Sequence, residues 1–201
     1  TNNWGKYDIV QGMRDFLAHY TSLPSDPEIY IMAPPPAYND GAWDIQPHIV
    51  TQIRDEYIRF TTEENIPFIE LGGVEPNPKI DLVRQGVELC KKEKVDFILA
   101  VGGGSVIDSA KLIGVASKST EDPWRFSIQE VKPKNTIPVG VILTISASGS
   151  ELSSSCVISN PVGKLKRGFN SEIMRPVFAI MNPELTYNIS KRQTGCGIVD
   201  I

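Results

Sequence analysis

The stretch Val95-Asp-Phe-Ile-Leu-Ala-Val-Gly-Gly-Gly-Ser-Val-Ile-Asp-Ser-Ala-Lys111 leaves a chain few ways to fold. Its first residues are mostly apolar and long enough for a buried strand. Three glycines and a serine follow, and then Val106, Ile107, Ala110, Ile113 and Gly114 recur at helical spacing. Strand, glycine turn and helix in succession is the layout of a phosphate-binding βα unit. Gly102, Gly103 and Gly104 carry no Cβ, so a phosphate can approach the backbone and positive φ is open to them. Ser105 can cap the helix, whose unpaired N–H groups and dipole favour an anion. Taken alone, the turn is equally well explained as a tight reversal of the chain.

Composition narrows the class of protein. Of 201 residues, 41% are hydrophobic and 22% charged, which suits a soluble globular chain with a real core. The net charge of −4 and the lack of any basic run argue against a nucleic-acid partner. No apolar run is long enough to span a membrane, so no membrane partner is expected. Cys90, Cys156 and Cys196 lie far apart, with neither disulfide nor metal spacing, as in a reducing, cytoplasmic setting. The first residue is Thr1, as in a processed chain or a fragment.

Taken in order, the chain predicts a helix through Ile9, Met13, Phe16, Leu17 and Tyr20, then a turn at Leu23–Pro27. Glu28–Ala33 reads as a buried strand stopped by Pro34-Pro-Pro36. A loop with Trp43 leads to a helix over about 47–64, and Pro67–Leu71 reads as another strand. After the turn-rich Gly72–Pro78, a helix is expected over Ile80–Lys94. Beyond the central unit, Asp122-Pro-Trp124 reads as a turn, and Ile137–Thr144, Cys156–Ser159 and Pro176–Met181 as strands. Asn160–Gly168 reads as a hairpin turn, Asn182-Pro183 as a turn, and Ser190 as the cap of a last helix.

Two resemblances emerge from these segments. Asn3-Trp4, Leu23-Pro-Ser-Asp-Pro-Glu-Ile-Tyr-Ile-Met-Ala-Pro-Pro-Pro-Ala-Tyr38 and Gly41-Ala-Trp43 resemble the interior of an SGNH-type, sialate O-acetylesterase-like hydrolase. That family's nucleophile block and Asp-x-x-His are absent, so His19 and His48 read as ordinary helix or loop residues. An esterase fragment acting on acetyl esters is the competing function this implies. A non-catalytic nucleotide-binding domain is another.

The larger resemblance covers about residues 63–201. Gly72-Gly-Val-Glu-Pro-Asn-Pro78, Gly102-Gly-Gly-Ser-Val-Ile-Asp-Ser-Ala-Lys111, Leu143-Thr144 through Ser148-Gly-Ser-Glu151, and Gly197-Ile-Val-Asp200 follow one another in that order. Together they resemble the iron-containing (group III) alcohol dehydrogenase family. The resemblance implies an α/β, Rossmann-like fold: a mostly parallel sheet flanked by helices, here truncated before an all-helical metal domain. It implies NAD or NADP as cofactor, a divalent metal (iron or zinc), and a small alcohol or aldehyde as substrate. A homodimer is compatible with it. The domains would be an SGNH-like α/β segment over 1–62, completing or abutting the sheet, and a dinucleotide-binding domain over 63–201, with a metal domain starting at about 190–201.

The resemblance also implies residue roles. Gly102, Gly103, Gly104 and Ser105 would hold the cofactor pyrophosphate. Asp108 would face the nicotinamide side of the cleft, or else be a solvated first-turn carboxylate favoured by the helix dipole. Thr144 and Ser148 would hydrogen-bond cofactor phosphate or ring, or serve only the turn. Lys166 would approach the ribose, or be a solvated hairpin lysine, and Leu185 would pack near the adenine, or in the core. Asp200 would be the first metal ligand, with three histidines to follow. Lys111, one helical turn past Asp108, reads as its ion-pair partner. Pro34-Pro-Pro36 stands where the family usually has a glycine-rich or acidic turn meeting the adenosine ribose, and Asn182 replaces the usual aspartate before Pro183. The chain by itself is thus expected to bind cofactor with little or no turnover.

Overall fold

The computed structural model describes residues 29–32, 55, 58–59, 61–63, 66–186 and 189–200. The helix expected over Ile9–Tyr20, the triple proline, the Trp43 loop and both histidines lie outside the described residues. Within the helix expected over 47–64, residues 55, 58–59 and 61–63 are helical.

Among the described residues, four parallel strands build the sheet: β1 (Ile29–Met32), β2 (Phe97–Gly102), β3 (Val139–Leu143) and β6 (Phe178–Ile180), in the order β1-β2-β3-β6. Every residue of β2 and β3 is buried. This explains why they read as unbroken apolar runs: a parallel sheet is covered on both faces. The register pairs Ile29 with Phe97, Ile98 with Val139 and Gly140 with Phe178. Phe97 and Phe178 stack at 6.0 Å between centroids across the strand that lies between them. Gly140 makes that possible, since a Cβ there would meet the Phe178 ring at 2.4 Å and Phe97 at 2.9 Å.

Helix α1 (Ile80–Glu93) buries Ile80, Val83, Gly86, Val87 and Cys90, and ends where Lys94 turns left-handed at φ 59°. It packs on α2 (Gly104–Ser117), and the approach is close: a Cβ on Gly86 would meet Ile113 Cδ1 at 2.4 Å. Helix α2 is apolar around nearly its whole circumference, with Val106 to Ala116 buried except Asp108. Such a helix is enclosed on all sides. The sheet covers one side of it. On another lies an antiparallel hairpin of β4 (Ser155–Asn160) and β5 (Leu165–Asn170).

The short helix α3 (Pro123–Ser127) stands where a turn was expected. Asp122 caps it, accepting from Trp124 N–H at 2.9 Å, and Pro123 occupies the first turn. Pro67–Leu71 is not a strand: it joins neither sheet, and Pro67 has no N–H to give a ladder. The hairpin reversal is shorter than the expected Asn160–Gly168. Pairing runs to Asn160↔Leu165, so residues 165–168 already belong to β5. The last helix, α4 (Lys191–Asp200), is capped as expected, with Gln193 N–H donating to Ser190 Oγ at 3.2 Å.

Candidate functional site

The glycine turn sits at the C-terminal end of β2, where open parallel sheets collect ligands. Thr144 N–H donates to Gly102 O at 3.1 Å, so pairing with the chain after β3 continues to the last residue of β2. Gly103 is the N-cap of α2, in extended conformation (φ −92°, ψ −170°). Ser105 is therefore not the cap expected of it; it lies inside the helix, and no side chain caps this end. Nor do the three glycines use positive φ, which among the described glycines occurs at Gly73, Gly149 and Gly163. What the turn requires is space. A Cβ on Gly102 would meet Val106 Cγ2 at 2.5 Å, one on Gly103 would meet Ile145 Cγ2 at 2.4 Å, and one on Gly104 would meet Ser148 Oγ at 2.4 Å.

Two walls thus meet over the turn: the first turn of α2 and the loop from Ile145 to Ser150. Val106 and Ile107 N–H groups both return to Gly103 O, at 3.0 and 3.2 Å. The N–H groups of Gly104 and Ser105 precede that ladder and remain at the helix mouth. An anion there gains from the dipole and from backbone donors that no Cβ obstructs. The residues present thus fit a cofactor pyrophosphate. Thr144 is buried at the strand end, while Ser148 is exposed beside Gly104.

The rest of the first turn of α2 points elsewhere. Asp108 is not a solvated carboxylate. It accepts from Ser150 Oγ at 2.6 Å and from Val157 N–H at 2.9 Å, bridging the loop and β4. Burial raises its pKa; the two hydrogen bonds and the charges of Lys111 and Lys166 pull it back. Lys111 is fully buried, and its ammonium does not bond Asp108 directly. It donates to the carbonyls of Ser150, Ser153 and Ser155 at 2.6, 2.9 and 2.9 Å, with the Ser150 and Ser153 hydroxyls at 3.0 and 3.2 Å. Burial lowers its pKa, and Asp108 opposes that shift. Ser150 links the two charges, accepting from Lys111 and donating to Asp108.

The remaining expected residues divide between near and far. Lys166 lies on β5 and donates to Asn77 Oδ1 at 2.7 Å, which ties the hairpin to the Gly72–Pro78 loop. Ser159 N–H donates to Pro78 O at 2.8 Å and strengthens that tie. Leu185 belongs to a 3-10 turn, Pro183–Thr186, just past β6, so its backbone is at the same end of the sheet as the glycine turn. Asp200 closes α4. That helix meets the site loop at Gly197, where a Cβ would stand 2.5 Å from Ser146 O. Sequence reasoning missed Ile145, Ser150 and Asn77, and underrated Lys111. Among the described residues, no three His, Cys, Asp or Glu side chains gather as a metal site.

Residues 45–183 match the profile of a family described as iron-containing alcohol dehydrogenase. The chain is 41% identical to a probable NADH-dependent butanol dehydrogenase 1 of Bacillus subtilis, over 73% of this chain and 38% of that protein. It is 42% identical to the NADPH-dependent aldehyde reductase YqhD of Escherichia coli, over 66% of this chain and 35% of that protein. The crystal structure of NADH-dependent butanol dehydrogenase A from Thermotoga maritima superposes with a TM-score of 0.78 at 30% identity. The superposition covers 96% of this chain and 44% of that one. The match thus spans less than half the length of each of these relatives.

Proposed function

The chain belongs to the iron-containing alcohol dehydrogenase family, and on that premise we propose that it is the cofactor-binding part of an NAD(P)-dependent alcohol dehydrogenase or aldehyde reductase. One observation carries this reading: the turn Gly102–Gly104, without room for a Cβ, lies between a parallel strand end and an uncapped helix mouth. In this reading the Gly103, Gly104 and Ser105 backbone receives the pyrophosphate, and Gly102 brings the chain into position. Ser148 and Thr144 bond the phosphate or the ring beside it. Lys166 meets the ribose while Asn77 holds it, and Leu185 lines the adenine side. Asp108 braces the loop from beneath rather than touching the nicotinamide.

When bound, the nicotinamide exchanges a hydride with the carbon of a small alcohol or aldehyde. Asp200 would supply one of the several ligands that a divalent metal needs. The relatives named above include an NADH- and an NADPH-dependent enzyme, and the reading allows either coenzyme. It places the protein in the cytoplasm, with no nucleic-acid or membrane partner, and is compatible with a homodimer. Among the described residues, no helix is long and apolar enough to cross a membrane. Residues 1–62 are proposed as a separate segment completing the sheet through β1, which pairs with β2.

Titration with NADH and NADPH, followed by nicotinamide fluorescence, tests the reading. Saturable binding by the chain, abolished by Gly103→Val, is the expected result. A folded chain that binds neither coenzyme would overturn it.

A further inference from the structure

The loop that walls the glycine turn is fastened at both ends. At its start, Thr144 N–H is bonded to Gly102 O. At its end, three carbonyls converge on one buried ammonium, that of Lys111. A buried ammonium is retained only where its donors are well satisfied. Here three N–H groups meet three carbonyls, with two hydroxyls sharing them. Lys111 is also on the same helix whose mouth faces the anion site, two turns beyond Gly104. Helix and loop are therefore joined through one buried side chain. Ser150 O takes both Lys111 Nζ and Ser153 N–H, so the loop's own turn is organised around the same point.

We propose that Lys111 is a positioning residue for the phosphate site: its ammonium sets the 145–150 loop at the distance from α2 that places Ser148 beside the Gly104 backbone. Lys111 touches no ligand; it acts through the loop it holds. This inference rests on the cofactor-binding reading above. It separates Lys111 from a core residue that serves stability alone, because only a positioning role weakens phosphate recognition selectively.

The test compares ADP with adenosine, each competing against NADH fluorescence. The preference for ADP over adenosine measures the phosphate contribution in isolation. In Lys111→Met, the ADP preference should fall about tenfold, the loss of one well-made hydrogen bond to a charged group, with adenosine affinity unchanged. Ser150→Ala removes a hydroxyl that accepts from Lys111 Nζ together with its link to Asp108, so it weakens the ammonium's hold on the loop and should lower the preference by a smaller factor. If Lys111→Met does not fold, Ser150→Ala decides: a reduced preference supports the proposal and an unchanged one overturns it. A folded Lys111→Met with unaltered ADP preference also overturns it. If the unmutated chain binds neither NADH nor ADP, the cofactor reading fails first and the proposal falls with it.

Discussion

At Gly103 and Gly104 the added atom would meet different obstacles. A Cβ on Gly104 would strike a serine hydroxyl, which can rotate away. One on Gly103 would strike the branch methyl of Ile145, a β-branched side chain that is stiff at χ1 because turning one branch away brings the other in. We expect Gly103→Ala to weaken NADH binding by about tenfold or more, and Gly104→Ala by less, since overpacking against a fixed group costs about 1–3 kcal/mol. Isothermal titration of both variants checks the order; equal losses would mean that the walls of the turn move freely. Asp122 supports a second prediction. The Arg84 guanidinium, 2.8 Å away, holds its pKa below the ordinary 3.8, helped by the Trp124 N–H bond and opposed by partial burial. A carboxylate with a depressed folded-state pKa contributes stability that is present above its unfolded pKa and is lost as pH falls through the folded one. Asp122→Asn can keep the cap but not the charge. It should cost about 0.2–1 kcal/mol at pH 7, the range for an exposed ion pair, and the gap should close below about pH 3.8. Urea midpoints at the two pH values measure this.

At the level of elements, the stack of Phe97 on Phe178 depends on a strand between them having no side chain at one position. Gly140→Val would drive a branched side chain into both rings. The expected cost is about 3 kcal/mol, near the top of the overpacking range, with β6 the first strand to loosen. Hydrogen exchange on Ala179 and Ile180 reports that loosening, and protection as in the unmutated chain would refute it. The central elements were readable in the sequence because each carries a local signal. β2 and β3 are apolar runs, α1 has helical spacing, and Ser190 announces the cap of α4. Pro67–Leu71 carried the same apolar signal without becoming a strand, because pairing depends on a neighbour that no local pattern names. Asp122-Pro123 held a genuine helix-start signal, which a helix of only five residues made look like a turn. The site was legible to the same depth. The glycine turn could be found by pattern, but its purpose is clearance rather than positive φ, and its obstacles come from Ile145 and Ser148. Lys111 was misread because its partners lie 39 to 44 residues further along. Helical spacing offered only Asp108.

On the scale of the whole molecule, the proposed phosphate site belongs to no single element. β2 delivers the glycines, α2 provides the donors, the segment after β3 forms the wall, and α4 bears on that wall at Gly197. The β4–β5 hairpin is tied to the Gly72–Pro78 loop through Lys166 and Asn77. A ligand seated there would contact parts that come together only when the sheet, helices and hairpin are assembled, so it would bind the folded chain and not the unfolded one. Linkage then requires that binding raise the stability of the whole fold, by about 2.7 kcal/mol at a hundredfold excess over Kd. For a chain of 201 residues this corresponds to a rise of roughly 5–10 °C in melting temperature. Differential scanning fluorimetry with NADH, NADPH and ADP measures it. The rise should be seen with ADP as well as with a reduced coenzyme, because the phosphate cradle is common to both, and it should vanish in Gly103→Val. A rise that survives Gly103→Val would place the ligand elsewhere on the fold and remove the glycine turn from the site.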